Sequence, residues 1–70
     1  MGGIYKVIEI VGTSSDSWED AATTAIVTAS KTLHDLRVAE VIKQDITIGE
    51  DGVHEAFRVR LSISFKYESE

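Results

Sequence analysis

Residues 56–67, Ala56-Phe57-Arg58-Val59-Arg60-Leu61-Ser62-Ile63-Ser64-Phe65-Lys66-Tyr67, alternate without a break. Phe57, Val59, Leu61, Ile63 and Phe65 share one face of an extended chain, and Arg58, Arg60, Ser62, Ser64 and Lys66 share the other. Such a stretch is a strand, and its apolar face requires a core. Taken from about Val53 to Tyr67, it extends on the order of 45–50 Å. Its polar face must meet water, another subunit or a ligand.

The stretch is preceded by Glu50-Asp51-Gly52, a turn, and by Leu36–Ile48, "LRVAEVIKQDITI", in which β-branched residues dominate. The two runs form an antiparallel hairpin. Alternation in the earlier run is poor. A strict period of two puts Val38, Ile42, Ile46 and Ile48 with Glu40 and Gln44 on one face, and Ala39 and Val41 on the other. A strand that is partly apolar on both sides is expected to be buried on both sides.

Toward the N-terminus, Ile4–Val11, "IYKVIEIV", reads as a further strand bounded by Gly12-Thr13-Ser14. A helix is expected to follow, with Asp16 or Ser15 as N-cap and Glu19 at capping-box spacing from Asp16. Trp18, Ala21, Ala22, Ala25, Ala29 and Leu33 fall at helical intervals and make one apolar stripe. The small alanines imply that something packs close to it. Trp18 is the only tryptophan and reads as a core or interface residue.

The expected order is therefore β-α-β-β, an α+β domain with a three-stranded antiparallel sheet around one helix. A helix of some 17 residues spans only about 25 Å. It cannot cover the last strand along its length, so the sheet must curl around it or pair its overhang with other subunits. Size points the same way. Seventy residues make a single domain spanning 1–70, and a core of this size rarely yields more than about 3–5 kcal/mol of net stability without disulfides, a metal or association. The sequence has no cysteine, which leaves subunit association or a metal held by oxygen ligands, and fits a reducing cytoplasm.

Other classes are disfavoured. The net charge of −5 offers no basic footprint for nucleic acid. Uninterrupted apolar runs are far too short to span a membrane, and no basic segment followed by an apolar one marks a signal peptide. No phosphate-binding glycine loop or HExxH pattern occurs, and neither His34 nor His54 has a nucleophile at motif spacing, so an enzyme is not expected. Asp45, Glu50, Asp51 and Glu55 around the hairpin turn do not follow the EF-hand spacing. They read first as a solvated acidic turn, as do Asp16, Glu19 and Asp20 at the helix start. Symmetry-related chains could still combine such carboxylates around calcium.

"YKVIEIVGTSSDSWEDAA", "LRVAEVIKQD" and "FRVRLSISFKY" resemble the dodecin family along essentially the whole chain. The strand-ending "VGTS", the helix after it and the "VAEV" of the second strand are its most specific marks. The resemblance implies a hollow dodecamer of twelve chains built from trimers, with flavins bound at paired sites between subunits for sequestration rather than catalysis. It implies a ligand site around Arg37, Val38, Glu40, Gln44 and Arg58. Two of these depart from the flavin-binding pattern. Val38 stands where those proteins carry a stacking tryptophan, and Arg58 stands where they carry a glutamine that bonds the flavin ring.

The chain is similar in particular to the tryptophan-less branch known as calcium dodecin. Flavin binding, of FMN or riboflavin, is thus expected to be weakened or altered. Calcium is the alternative ligand, with no metal ligands assigned, and a structural assembly without a flavin is a further one. Arg58 and its neighbours on the polar face are expected to pair with Glu40 or Asp45. In a sharper reading, Arg37 and Arg58 hold a phosphate or carboxylate of a small ligand.

Overall fold

In the computed structural model, which describes residues 3–66, the order is β1 (Tyr5–Ser14), α1 (Trp18–Ala29), β2 (Leu36–Ile48) and β3 (His54–Lys66). The sheet is three-stranded in the order β1-β3-β2, and both neighbours run antiparallel to β3. The unbroken alternation of β3 is the reason it lies in the middle. Val59, Leu61 and Ile63 are each 1% exposed and, with Ala21 of α1, form the buried core. Full burial of each large side chain contributes about 1.5–3 kcal/mol. Around them pack Ile8 and Ile10 of β1, Trp18, Ala22, Ala25, Ile26 and Ala29 of α1, and Leu36 of β2.

β1 does not stop at Val11. Gly12, Thr13 and Ser14 remain in the ladder opposite Val59, Arg58 and Phe57. Gly12 is needed there for packing rather than for turning. A Cβ at this position would come within 2.4 Å of the Ala21 carbonyl oxygen and 2.9 Å of the Ala25 Cβ. The helix therefore rests directly on the strand backbone, which explains the run of alanines in its stripe.

The helix start also differs from the expected one. Neither Asp16 nor Ser15 is the N-cap. Ser17 takes that position in extended conformation, and its side chain accepts from the Asp20 backbone N–H at 2.9 Å. Asp16 is drawn instead into a turn in which its backbone N–H donates to Ser14 Oγ at 2.9 Å. Ser14 Oγ in turn donates to Asp20 Oδ2 at 2.7 Å, so the end of β1 is tied to the first turn of α1. The helix is consequently 12 residues long, about 18 Å.

β2 has the expected bounds, but its faces are not those of a strict period of two. The register slips between Leu36 and Val38 and again between Val41 and Lys43, where Arg37 and Ile42 are extra residues, and once more between Thr47 and Ile48. Each single-residue slip exchanges the faces of everything beyond it. As a result Ala39, Val41, Gln44 and Ile46 lie opposite the helix-facing Ile63, Leu61, Val59 and Phe57, while Glu40, Lys43 and Asp45 lie opposite Ser62, Arg60 and Arg58. Ile46 and Gln44 are thus on the face that the strict alternation assigned to Ala39 and Val41.

The β2–β3 connection is the expected turn. Gly52 N–H donates to the Gly49 carbonyl at 3.0 Å and Gly49 N–H to the Val53 carbonyl at 2.9 Å. Gly52 adopts φ 82°, a left-handed conformation that glycine enters without cost to a side chain. β3 begins at His54, and Tyr67 lies outside the described residues.

The helix packs on β1 and β3 and leaves β2 largely bare. Val38, Val41, Ile42, Ile46 and Ile48 are between 40% and 70% exposed. The expected two-sided burial of this strand is therefore absent in the single chain. Overall extents of 54 × 20 × 15 Å describe an elongated molecule whose hairpin, about 43 Å long, reaches far beyond its helix.

Candidate functional site

The polar face of β3 is arranged in cross-strand rows. Glu9 and Glu40 flank Ser62; Val11 and Lys43 flank Arg60; Thr13 and Asp45 flank Arg58. Arg58 donates to both carboxylate oxygens of Asp45, from Nε to Oδ1 at 2.7 Å and from Nη2 to Oδ2 at 2.8 Å. This bidentate geometry is the most specific one available to a guanidinium and a carboxylate. Arg60 Nη1 donates to Glu9 Oε1 at 3.2 Å. Of the two partners expected for the arginines, Asp45 is used. Glu40 is not, because the register sets it beside Ser62. The Glu9–Arg60 pair joins residues too distant in sequence to be paired without knowing the register.

Lys43, Asp45, Arg58, Arg60 and Val11 line a shallow indentation of about 70 Å³. The hydrogen bond from Arg58 holds the Asp45 carboxyl below its ordinary value of 3.8, with the positive charges of Arg58, Lys43 and Arg60 acting in the same direction and burial opposing them. Asp45 likewise raises the Arg58 guanidinium, which is charged in any case. A carboxyl lowered on folding contributes stability that is complete above its unfolded value and lost as pH falls through the folded one. Thermal melts across pH are expected to place wild type above Asp45→Asn at neutral pH, with the gap closing below about pH 3.8. A gap independent of pH would show that the ion pair contributes nothing.

The same Asp45 anchors the helix. Its backbone carbonyl accepts from Trp18 Nε1 at 3.1 Å, and the Trp18 ring meets Phe57 edge-on with centroids 5.2 Å apart. Trp18 is thus a packing residue that clamps the start of α1 to the hairpin, as expected for a core residue. His54 lies beside Phe57 at 5.4 Å.

The five expected ligand-site residues do not converge within one chain. Arg37 and Val38 line an apolar groove of about 220 Å³ with Ile26, Leu36, Ala39 and Ile63. Val38 is level with Ser64 and Glu40 with Ser62, whereas Arg58 sits at the level of Asp45. Ser64 and Arg58 are about 20 Å apart along an extended strand. Gln44 lies on the opposite face, beside Val59. Arg37 and Arg58 therefore cannot grip one small anion together in a single chain.

The acidic residues are equally dispersed. Asp45 is occupied by Arg58, Asp51 Oδ1 accepts from the Val53 N–H at 3.0 Å, and Asp20 accepts from Ser14. Among the described residues no group of three or more His, Asp or Glu side chains is arranged to hold a metal ion. Among the same residues no helix is long and apolar enough to cross a membrane.

Comparison with known proteins agrees with this architecture. The family described as Dodecin matches residues 4–68. Calcium dodecin of Mycobacterium tuberculosis is 46% identical over 63 residues, covering 90% of this chain and 87% of the relative. Dodecin of Thermus thermophilus is 44% identical over 68 residues, covering 97% of both. Among solved structures, calcium dodecin from Mycobacterium tuberculosis, described as having a novel calcium-binding site, superposes with a TM-score of 0.84 at 43% identity over 96% of this chain and 94% of that one. The dodecin of Streptomyces coelicolor gives 0.90 at 37% identity over 97% and 96%. The fold is that of a small β-α-β-β protein with one helix on a three-stranded sheet. The chain belongs to the dodecin family.

Proposed function

We propose that this protein is a dodecin-type binding and storage protein, assembled as a dodecameric shell of trimers in the cytoplasm, whose small-ligand sites lie between chains and whose flavin contacts are weakened. The observation that carries the reading is the bareness of β2. A strand with exposed apolar residues at Val38, Val41, Ile42, Ile46 and Ile48 needs a further protein surface, and the dispersed ligand-site residues need a neighbour to complete them. Val38 offers no aromatic plane, and Arg58 spends its fork on Asp45. Both departures reduce what a flavin ring could gain there.

Native mass spectrometry of protein from its own host, with fluorescence titration of FMN, riboflavin and lumichrome, tests this reading. A monomer would remove the shell, and absence of quenching at micromolar protein would remove flavins. Val38→Trp is expected to tighten flavin binding by about two- to tenfold for each stacked pair, corresponding to about 0.5–1.5 kcal/mol. An unchanged affinity would mean that stacking is not the missing element.

Calcium is a second reading, favoured by the 46% identity to a relative named calcium dodecin. Because the carboxylates of the described residues are dispersed within one chain, this reading draws the calcium ligands from more than one subunit. Isothermal calorimetry with calcium, and melts with and without chelator, decide it. A melting temperature indifferent to both would exclude a structural ion.

A further inference from the structure

On the outer face of β2, Glu40 and Lys43 stand on opposite sides of a bulge. Glu40 is level with Ser62 and Lys43 with Arg60, with Ile42 as the extra residue between them. Among the described residues, the Glu40 side chain makes no ion pair or hydrogen bond, and the Lys43 side chain makes none either, its charge acting only at longer range on Asp45. Lys43 moreover stands directly across from Arg60, a like-charge arrangement that costs stability unless an anion approaches. β2 is an edge strand, and its exposed apolar residues lie on both sides of this acid–base pair.

We propose that two copies of this chain associate antiparallel along β2, about a two-fold axis passing between Val41 and Ile42, so that Glu40 of each meets Lys43 of the partner subunit. This rests on the assembly reading above and assigns one of its contacts. The pattern is self-complementary: reversing the strand about that axis exchanges positions 40 and 43, so each interface contains the ion pair twice. It also sets Val41 against the partner's Ile42 at the centre, removing two exposed apolar side chains per copy from water. The bulges at Arg37 and Ile42 interrupt the regular edge. The contact is therefore made by side chains and not by an added backbone ladder.

The same axis places Val38 level with the partner subunit's Asp45, and hence beside the Arg58 that Asp45 holds. Two of the site positions separated by about 20 Å in one chain are thereby brought to one place. An antiparallel axis elsewhere on β2 would not pair the free acid with the free base.

Charge reversal tests the contact. Glu40→Lys and Lys43→Glu each put like charges together twice per interface. Each is expected to raise the protein concentration at which the assembly dissociates by about tenfold or more. The Glu40→Lys, Lys43→Glu double variant restores opposite charges and is expected to recover wild-type assembly in native mass spectrometry and sedimentation. Circular dichroism verifies that each variant is folded. Should a single variant fail to fold, high salt on the wild type provides the second measurement, since screening must loosen the assembly. Single variants that assemble like the wild type, a double variant no better than either, or salt-insensitive assembly would each overturn the contact while leaving the assembly reading intact. A monomeric wild type would overturn both.

Discussion

Gly12→Ala is expected to destabilise the protein by about 3 kcal/mol, read as a shift in the urea midpoint followed by Trp18 fluorescence. The φ of Gly12 is not left-handed, so alanine meets no backbone penalty. The effect is steric. The new methyl would lie 2.4 Å from the Ala21 carbonyl oxygen and 2.9 Å from the Ala25 Cβ. The first of these is backbone and cannot rotate away, so α1 must lift from β1. Lifting it loosens Ala21, which is fully buried, and strains the Ser14–Asp20 tie at the helix start. Gly52→Ala is the control, because a Cβ there has nothing within 4 Å and only the φ of 82° to oppose it. That variant is expected to lose about 1 kcal/mol. Equal losses at both positions would show that close helix packing is not what Gly12 provides.

Leu61→Ala is expected to cost about 2–5 kcal/mol, comparable to the whole net stability of an isolated core of this size, which rarely exceeds about 3–5 kcal/mol. Leu61 is 1% exposed and lies between Ile10 of β1 and Val41 of β2. Its side chain is the central element of the small core formed with Val59, Ile63 and Ala21. Little is available to collapse into the space, because Ala21 already rests on the strand backbone at Gly12. Unfolding followed by circular dichroism at several protein concentrations measures the loss. A midpoint that rises with concentration would report stabilisation by association. A loss below about 1 kcal/mol would mean that the core is not centred on this residue.

Both variants act on a molecule with very little interior. The helix covers β1 and β3, while β2 and the far end of the hairpin remain exposed. In the assembly we propose, the stability of the chain and the completion of its ligand site would depend on the same neighbouring copies. On that proposal a substitution on β2 alters ligand binding through assembly without touching the ligand, and the charge-reversal pair at Glu40 and Lys43 separates the two effects.

The strand Phe57–Phe65 was legible because its alternation has no interruption and one face is wholly apolar. A helix after Ser14 and a turn at Glu50–Gly52 were legible from caps, an alanine stripe and a glycine. The pairing of Arg58 with Asp45 could be anticipated as one of two choices from the hairpin alone. The helix cap at Ser17 was obscured by a run of competing serines and aspartates, which local propensity ranks alike; the tie from Ser14 to Asp20 selects among them.

What the amino-acid sequence determined by itself was the order of elements and the last strand with its apolar face, since periodicity acts locally. What tertiary structure decided was the register. Bulges at Arg37 and Ile42 leave no mark in composition, yet each adds one residue to a pattern of period two. That single residue determines which face Gln44 and Ile46 occupy, and that Lys43 rather than Ile42 lies beside Arg60.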